Sequence, residues 1–120
     1  MTRGSIVIAL ALAAVPVWAA EAGHFEGQAT FLVGNKFCPT QGPALKFDIG
    51  QDGNVVGGVR TQSKAVAFNG TVTPDGKLTA SYKASTDNDV VSVEAVVTDQ
   101  HLEGFTQSAS CRYKLSFDRQ

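Results

Sequence analysis

The chain has 120 residues and a formal net charge of −1, with its 10 basic and 11 acidic residues scattered rather than grouped. A basic face for nucleic acid needs clustered lysine and arginine, so no nucleic-acid partner is expected. The length accommodates a single domain, and no low-complexity tract or linker interrupts it.

The first residues, MTRGSIVIALALAAVPVWAAEAG, place Arg3 ahead of an apolar run from Ile6 to Val17 that only Pro16 breaks. Small residues follow, with the small-x-small rule satisfied at Val17-Trp18-Ala19 and at Ala20-Glu21-Ala22. Residues 1–22 are read as a cleavable secretory signal and 23–120 as one domain. The apolar run is shorter than the roughly 20 residues that a spanning helix needs. No cysteine follows it to carry a lipid, so no membrane anchor is expected after cleavage. The expected location is the periplasm or the external medium. Cleavage removes Trp18, the only tryptophan, and leaves about 100 residues, an ordinary domain size.

From Gly23 onward the hydropathy has period two, the pattern of half-buried strands. Phe25, Gly27, Ala29 and Phe31 share one face; Leu45, Phe47 and Ile49 follow, then Val66, Phe68, Gly70 and Val72. Later runs set Leu78, Ala80 and Tyr82, then Val91, Val93, Ala95 and Val97, and last Cys111, Tyr113, Leu115 and Phe117 on the apolar side. Eight strands are predicted, at 24–33, 43–50, 54–61, 64–73, 77–84, 89–98, 101–106 and 110–118.

The turns fix the register. Gln51-Asp52-Gly53 and Pro74-Asp75-Gly76 suit three-residue hairpin loops closed by a glycine, which sets Ile49 opposite Val55 and Val72 opposite Leu78. Turns at Asp99-Gln100 and Gln62-Ser63 set Val97 opposite Leu102 and Val59 opposite Val66. A loop from Ser85 to Asn88 sets Tyr82 opposite Val91, and a turn at Gln107-Ser108 sets Gly104 opposite Cys111. The segments IGQDGNVVGG, VTPDGKLTAS and VTDQHLEGFT form a weak internal repeat. The steps Phe25-Glu26-Gly27, Phe68-Asn69-Gly70 and Leu102-Glu103-Gly104 suggest places where the sheet bends, or else incidental glycines.

The two cysteines fit this order. An even-numbered meander that closes pairs its first strand antiparallel to its last, which brings Cys38 beside Cys111. The expected fold is all-β, an eight-stranded antiparallel up-and-down barrel closed near a Cys38–Cys111 disulfide. The spacing is wrong for a zinc or redox pair, and an exported chain meets oxidising conditions. A barrel of this size is filled by side chains or holds one small ligand, and the sequence leaves that choice open.

Little chemistry is visible. His24 and His101 are read as surface histidines, with no metal and no cofactor expected. There is no nucleophile-elbow serine and no phosphate-binding glycine loop, so an enzyme is not expected. Asp87 and Asp89 are read as loop residues before a cation site, and Asn69-Gly70-Thr71 as a chance glycosylation triplet. The loop GNKFCPTQGP either covers a barrel end or recognises a partner through Lys36 and Phe37. Tyr82 and Tyr113 are candidate ligand contacts inside the barrel, while Val56, Ala67, Val96 and Phe105 stand on the outer face.

An exported meander of eight strands with short Asp-Gly turns resembles the calycin-type barrels, the shape shared by avidins and lipocalins. The tryptophans that avidins place around biotin and the Gly-x-Trp of lipocalins have no counterpart after residue 22. The chain is also similar to small bacterial metalloprotease inhibitors, which are exported barrels with one disulfide. Its ending CRYKLSF, and its opening with apolar-x-Gly then Cys, resemble small exported bacterial proteins without known activity. The resemblance confers no function; the expected function, read from the architecture, is that of a monomeric, non-enzymatic binding protein that holds a small apolar ligand in the barrel. The alternative is a protein-binding or inhibitor module that acts through the loop around Phe37 and Cys38.

Overall fold

The computed structural model describes residues 22–61, 64–83 and 90–120. They form β1 (Gly23–Gly34), β2 (Gln41–Ile49), β3 (Asn54–Arg60), β4 (Ala65–Val72), β5 (Lys77–Lys83), β6 (Val90–Val97), β7 (His101–Gln107) and β8 (Cys111–Asp118). Each strand pairs antiparallel with its neighbour in sequence, and β1 pairs with β8 to close the barrel. Residues 1–21 of the expected leader, the loop Ser85–Asn88 with Asp87 and Asp89, and the turn residues Gln62 and Ser63 lie outside the described residues.

Local turn chemistry sets the register. Gly53 and Gly76 have φ of 84° and 93°, the left-handed region that a three-residue hairpin loop demands of its last residue. Their amides donate to the carbonyls of Gly50 (3.0 Å) and Thr73 (2.9 Å). Asp52 accepts from the Asn54 amide at 3.0 Å, and this bond, with a second from the Asn54 side chain, holds its carboxyl below the ordinary range. As expected, Ile49 faces Val55, Val72 faces Leu78, Val59 faces Val66, Tyr82 faces Val91 and Val97 faces Leu102.

The β7–β8 connection departs from expectation. Gly104 pairs with Leu115, not with Cys111, and Thr106 pairs with Tyr113. The turn lies at Ala109-Ser110, beyond Gln107-Ser108. The Ser108 hydroxyl accepts from the Cys111 amide at 3.1 Å, while the Ser108 amide donates to the Cys111 carbonyl at 2.9 Å. A serine that captures downstream amides nucleates its own turn, and that preference carries the turn past Gln107-Ser108. The displacement is an even number of residues, so every side chain keeps its face.

The internal repeat has a physical meaning. The Val72 amide donates to the Gly53 carbonyl, the Val97 amide to Gly76 (both 2.8 Å) and the Arg119 amide to Gln100 (2.9 Å). Each hairpin turn at this end is therefore gripped by the end of a later strand. The Gln120 amide donates to the His24 carbonyl at 2.9 Å and Phe25 bridges to Arg119, which completes the belt around the barrel.

Behind this belt the interior is packed. Phe25, Phe47, Leu78, Leu102 and Leu115 are fully buried, with Phe68 and Phe117 beside them. The Phe47 ring meets Phe68 edge-on at 5.6 Å and Phe117 at 6.3 Å. Glycines make room for these rings: a Cβ on Gly27 would stand 2.6 Å from the Phe117 ring, and one on Gly57 would stand 2.3 Å from Phe68. Interior clearance accounts for Gly27, and Gly57 serves the same purpose in a strand whose glycine pair carried no signal in the sequence.

Candidate functional site

The opposite end of the barrel is built differently. β1 carries an irregularity against β2 between Gln28 and Thr30, and another against β8 between Phe31 and Val33. Such bulges twist a strand and re-aim its side chains, and they favour barrel rims. Leu32 and Val33 consequently reach solvent, and the chain leaves β1 over the barrel mouth.

There the loop folds back on itself. The Asn35 side chain accepts from the Phe37 amide at 2.9 Å, and its carbonyl accepts from the Cys38 amide at 3.1 Å. Cys38 and Cys111 are bonded, with Cα atoms 5.8 Å apart, as their expected positions at the seam require. Gly34 pairs with Cys111 across that seam. A Cβ at Gly34 would sit 2.5 Å from the Cys38 sulfur, so glycine there is what lets the cystine cross. The Tyr113 hydroxyl donates to the Pro39 carbonyl at 2.8 Å and ties down the far limb of the loop. Burial pushes the Tyr113 phenol pKa up. A disulfide of this kind fits a non-reducing, extracellular-type environment.

Below the loop is a cavity of about 920 Å³, open at the mouth. Its apolar wall includes Val59, Val66, Val91 and Tyr82, with Tyr113 and Cys111 on the seam side. Tyr82 lies stacked on Phe68 at 5.6 Å and 20°, so the packed end supplies the cavity's aromatic footing. The β4–β5 ladder runs only from Val72↔Leu78 to Gly70↔Ala80, and beyond it this ring stack spans the two strands. The interior is thus packed at one end, and at the other the described residues leave a pocket open to solvent.

Polar groups punctuate the cavity wall. Arg60 and Lys64 stand at the rim, and Gln28 is held by a bond from its amide nitrogen to the Gly42 carbonyl at 3.1 Å. Thr106 is 1% exposed, and its hydroxyl is buried without a hydrogen-bond partner.

Of the candidate residues, Tyr82, Tyr113 and Cys111 line the cavity, whereas Lys36 and Phe37 stand outside it. Phe37 is 81% exposed, with the Lys36 ammonium 5.3 Å above its ring. Thr106 was missed, although the sequence carried its signal: in LEGFTQ it holds an inward-phase position where the neighbouring strands hold apolar residues. On the outer wall the Arg112 guanidinium lies 4.1 Å above the Phe105 ring and covers part of the apolar surface expected there.

Both histidines are bound to carboxylates on the outer wall. His101 Nδ1 meets Asp118 at 2.9 Å, and its Nε2 meets Glu103 at 3.3 Å and Ser116 at 3.1 Å. His24 lies between Glu26 and Asp48, at 2.5 Å from each. Hydrogen bonds to Glu26 first and Asp48 second raise the His24 pKa above 6.5. The folded state therefore favours imidazolium, a contribution fully present below pH 6.5 and lost as pH rises through the folded value. His24→Gln should lower the melting temperature below pH 6.5, and the gap from wild type should close with rising pH. A constant gap across the range would mean that the ring acts through packing alone.

No protein-family model, no curated protein and no solved structure matches this chain. The site is a pocket at one end of the barrel, roofed by a cystine-anchored loop.

Proposed function

We propose that this protein is an exported, non-enzymatic binding protein that holds a small, largely apolar ligand in the open half of its barrel. The observation that carries the reading is the cavity of about 920 Å³ over a packed aromatic floor. Binding sites for small molecules are concave, mostly apolar and furnished with a few polar groups, and this one has that composition. The calycin-like shape, working as a monomer in the periplasm or the external medium, is consistent with it, since closure leaves no strand edge to pair with a second copy.

A second reading draws on Phe37, an aromatic presented to solvent on a loop that the disulfide and the Tyr113 bond hold rigid. Exposed aromatics on rigid loops are favoured contacts for protein partners. One experiment separates the two. Native mass spectrometry of the protein taken from its own host's envelope should show a small co-purifying mass, unchanged by Lys36→Ala with Phe37→Ala. A protein adduct that this double substitution abolishes, with thermal stability unchanged, would assign the function to the loop instead.

A further inference from the structure

Strands β3 to β6 present Val59, Val66, Tyr82 and Val91 to the cavity, and β8 presents Tyr113. Between them β7 presents Thr106, paired with Val93 on β6 and with Tyr113 on β8, both core residues. Thr106 is 1% exposed, and among the described residues its hydroxyl has no hydrogen-bond partner. The Tyr113 hydroxyl is committed to the Pro39 carbonyl at 2.8 Å. Valine has the same shape as threonine, suits a strand as well and brings no polar group to bury. Threonine here therefore makes the ligand-free protein less stable than valine would. Unpartnered buried hydroxyls are rare enough in folded proteins to need a reason.

We infer that Thr106 sets the specificity of the cavity, and that the ligand carries an uncharged oxygen, a hydroxyl or a carbonyl, within an otherwise apolar body. The inference rests on the cavity being the binding site and specifies what enters it. A plain hydrocarbon would cover Val59, Val66, Val91 and Tyr82 but leave the Thr106 hydroxyl as unmet as it is without ligand. A carboxylate placed there would surrender its hydration for a single hydroxyl, since Val93 and Tyr113 flank the position. A hydroxyl or carbonyl oxygen meets Thr106 at a smaller desolvation cost. The bond then fixes how the ligand lies in the cavity.

Diphenylmethane, benzophenone and diphenylmethanol share one apolar body and differ in the oxygen at its centre, while diphenylacetate carries a carboxylate there. Competition of each against the neutral dye Nile red, in the oxidised protein, tests the inference. The quantity read is the affinity of the ketone and the alcohol relative to the hydrocarbon. Thr106→Val should lower it about tenfold, the factor that one buried hydrogen bond supplies. Comparing variants cancels the different water solubilities of the probes. Thr106→Ser keeps the hydroxyl and should hold the ratio within about threefold of wild type. Diphenylacetate should bind more weakly than the ketone. Without ligand, Thr106→Val should raise the melting temperature, since an unpartnered buried hydroxyl gives way to a methyl. A fall would mean that the hydroxyl already has a structural partner, and the inference would be overturned. A ratio that Thr106→Val leaves unchanged, a carboxylate bound better than the ketone, or bound dye that no probe displaces would overturn it too, with the cavity still the binding site. Failure of the dye and of every probe to bind would refute the cavity reading itself.

Discussion

Cys38→Ala with Cys111→Ala should cost roughly 4 kcal/mol of stability, read as a lower urea midpoint under conditions where the wild type is oxidised. The bond joins residues 73 apart, so its loss restores the conformational freedom of that long loop to the unfolded state. For a domain whose total margin is about 5–15 kcal/mol, that is a large share. The native side of the balance moves too. Near the mouth the β1–β8 seam is Thr30 to Gly34 against Lys114 to Cys111, and the cystine lies at the end of that ladder. Without it the roofing loop is left to the Tyr113 hydroxyl and the Asn35 turn, so ligand affinity should fall together with stability. A loss below about 1 kcal/mol would mean that the loop entropy is already restricted in the unfolded chain or that the seam carries itself.

The architecture was legible because three independent kinds of signal agreed. Period two gave the faces, Asp-Gly turns gave the register, and an even strand count brought Cys38 to Cys111. The Gly53 and Gly76 turns are local: their glycines take the left-handed conformation, and the pairing of Ile49 with Val55 follows within a few residues. The one misplaced turn, after β7, lacks glycine. It is set by the Ser108 hydroxyl, and serines are too common in loops for one of them to mark a position.

The site was less legible, since a hollow is a property of all eight strands at once. The inward positions of Tyr82 and Tyr113 were legible because aromatics in phase with the core stand out in a strand. Thr106 carries the same inward phase but reads as an ordinary strand residue, and only the folded structure shows its hydroxyl without a partner. Gly34 and Gly57 matter for the atoms that fill their missing Cβ positions, the Cys38 sulfur and the Phe68 ring, and those neighbours come from other segments. The glycine-bearing strand steps were visible; what they make room for was not.

Phe47→Ala is expected to cost about 3–5 kcal/mol, the range for removing a buried phenylalanine into a cavity that cannot collapse. Phe47 is 0% exposed and stands near the end of β2, opposite Phe25 on one side and Gly57 on the other. Its ring meets Phe68 and Phe117, and those rings in turn occupy the spaces left open at Gly57 and Gly27. Such interlocking resists relaxation, so the penalty should lie toward the upper part of the range, and Phe47→Leu should recover much of it. The consequence for function runs through Phe68, on which Tyr82 is stacked. Loosening Phe68 loosens the cavity's footing, and ligand binding should weaken even at temperatures where the variant is fully folded. The cystine closes the mouth and Phe47 packs the other end, so the two losses should add to about 8 kcal/mol, enough to unfold many domains of this size. A combined variant that stays folded, with a midpoint close to that of Phe47→Ala alone, would show that the disulfide contributes little once the ring layer is broken.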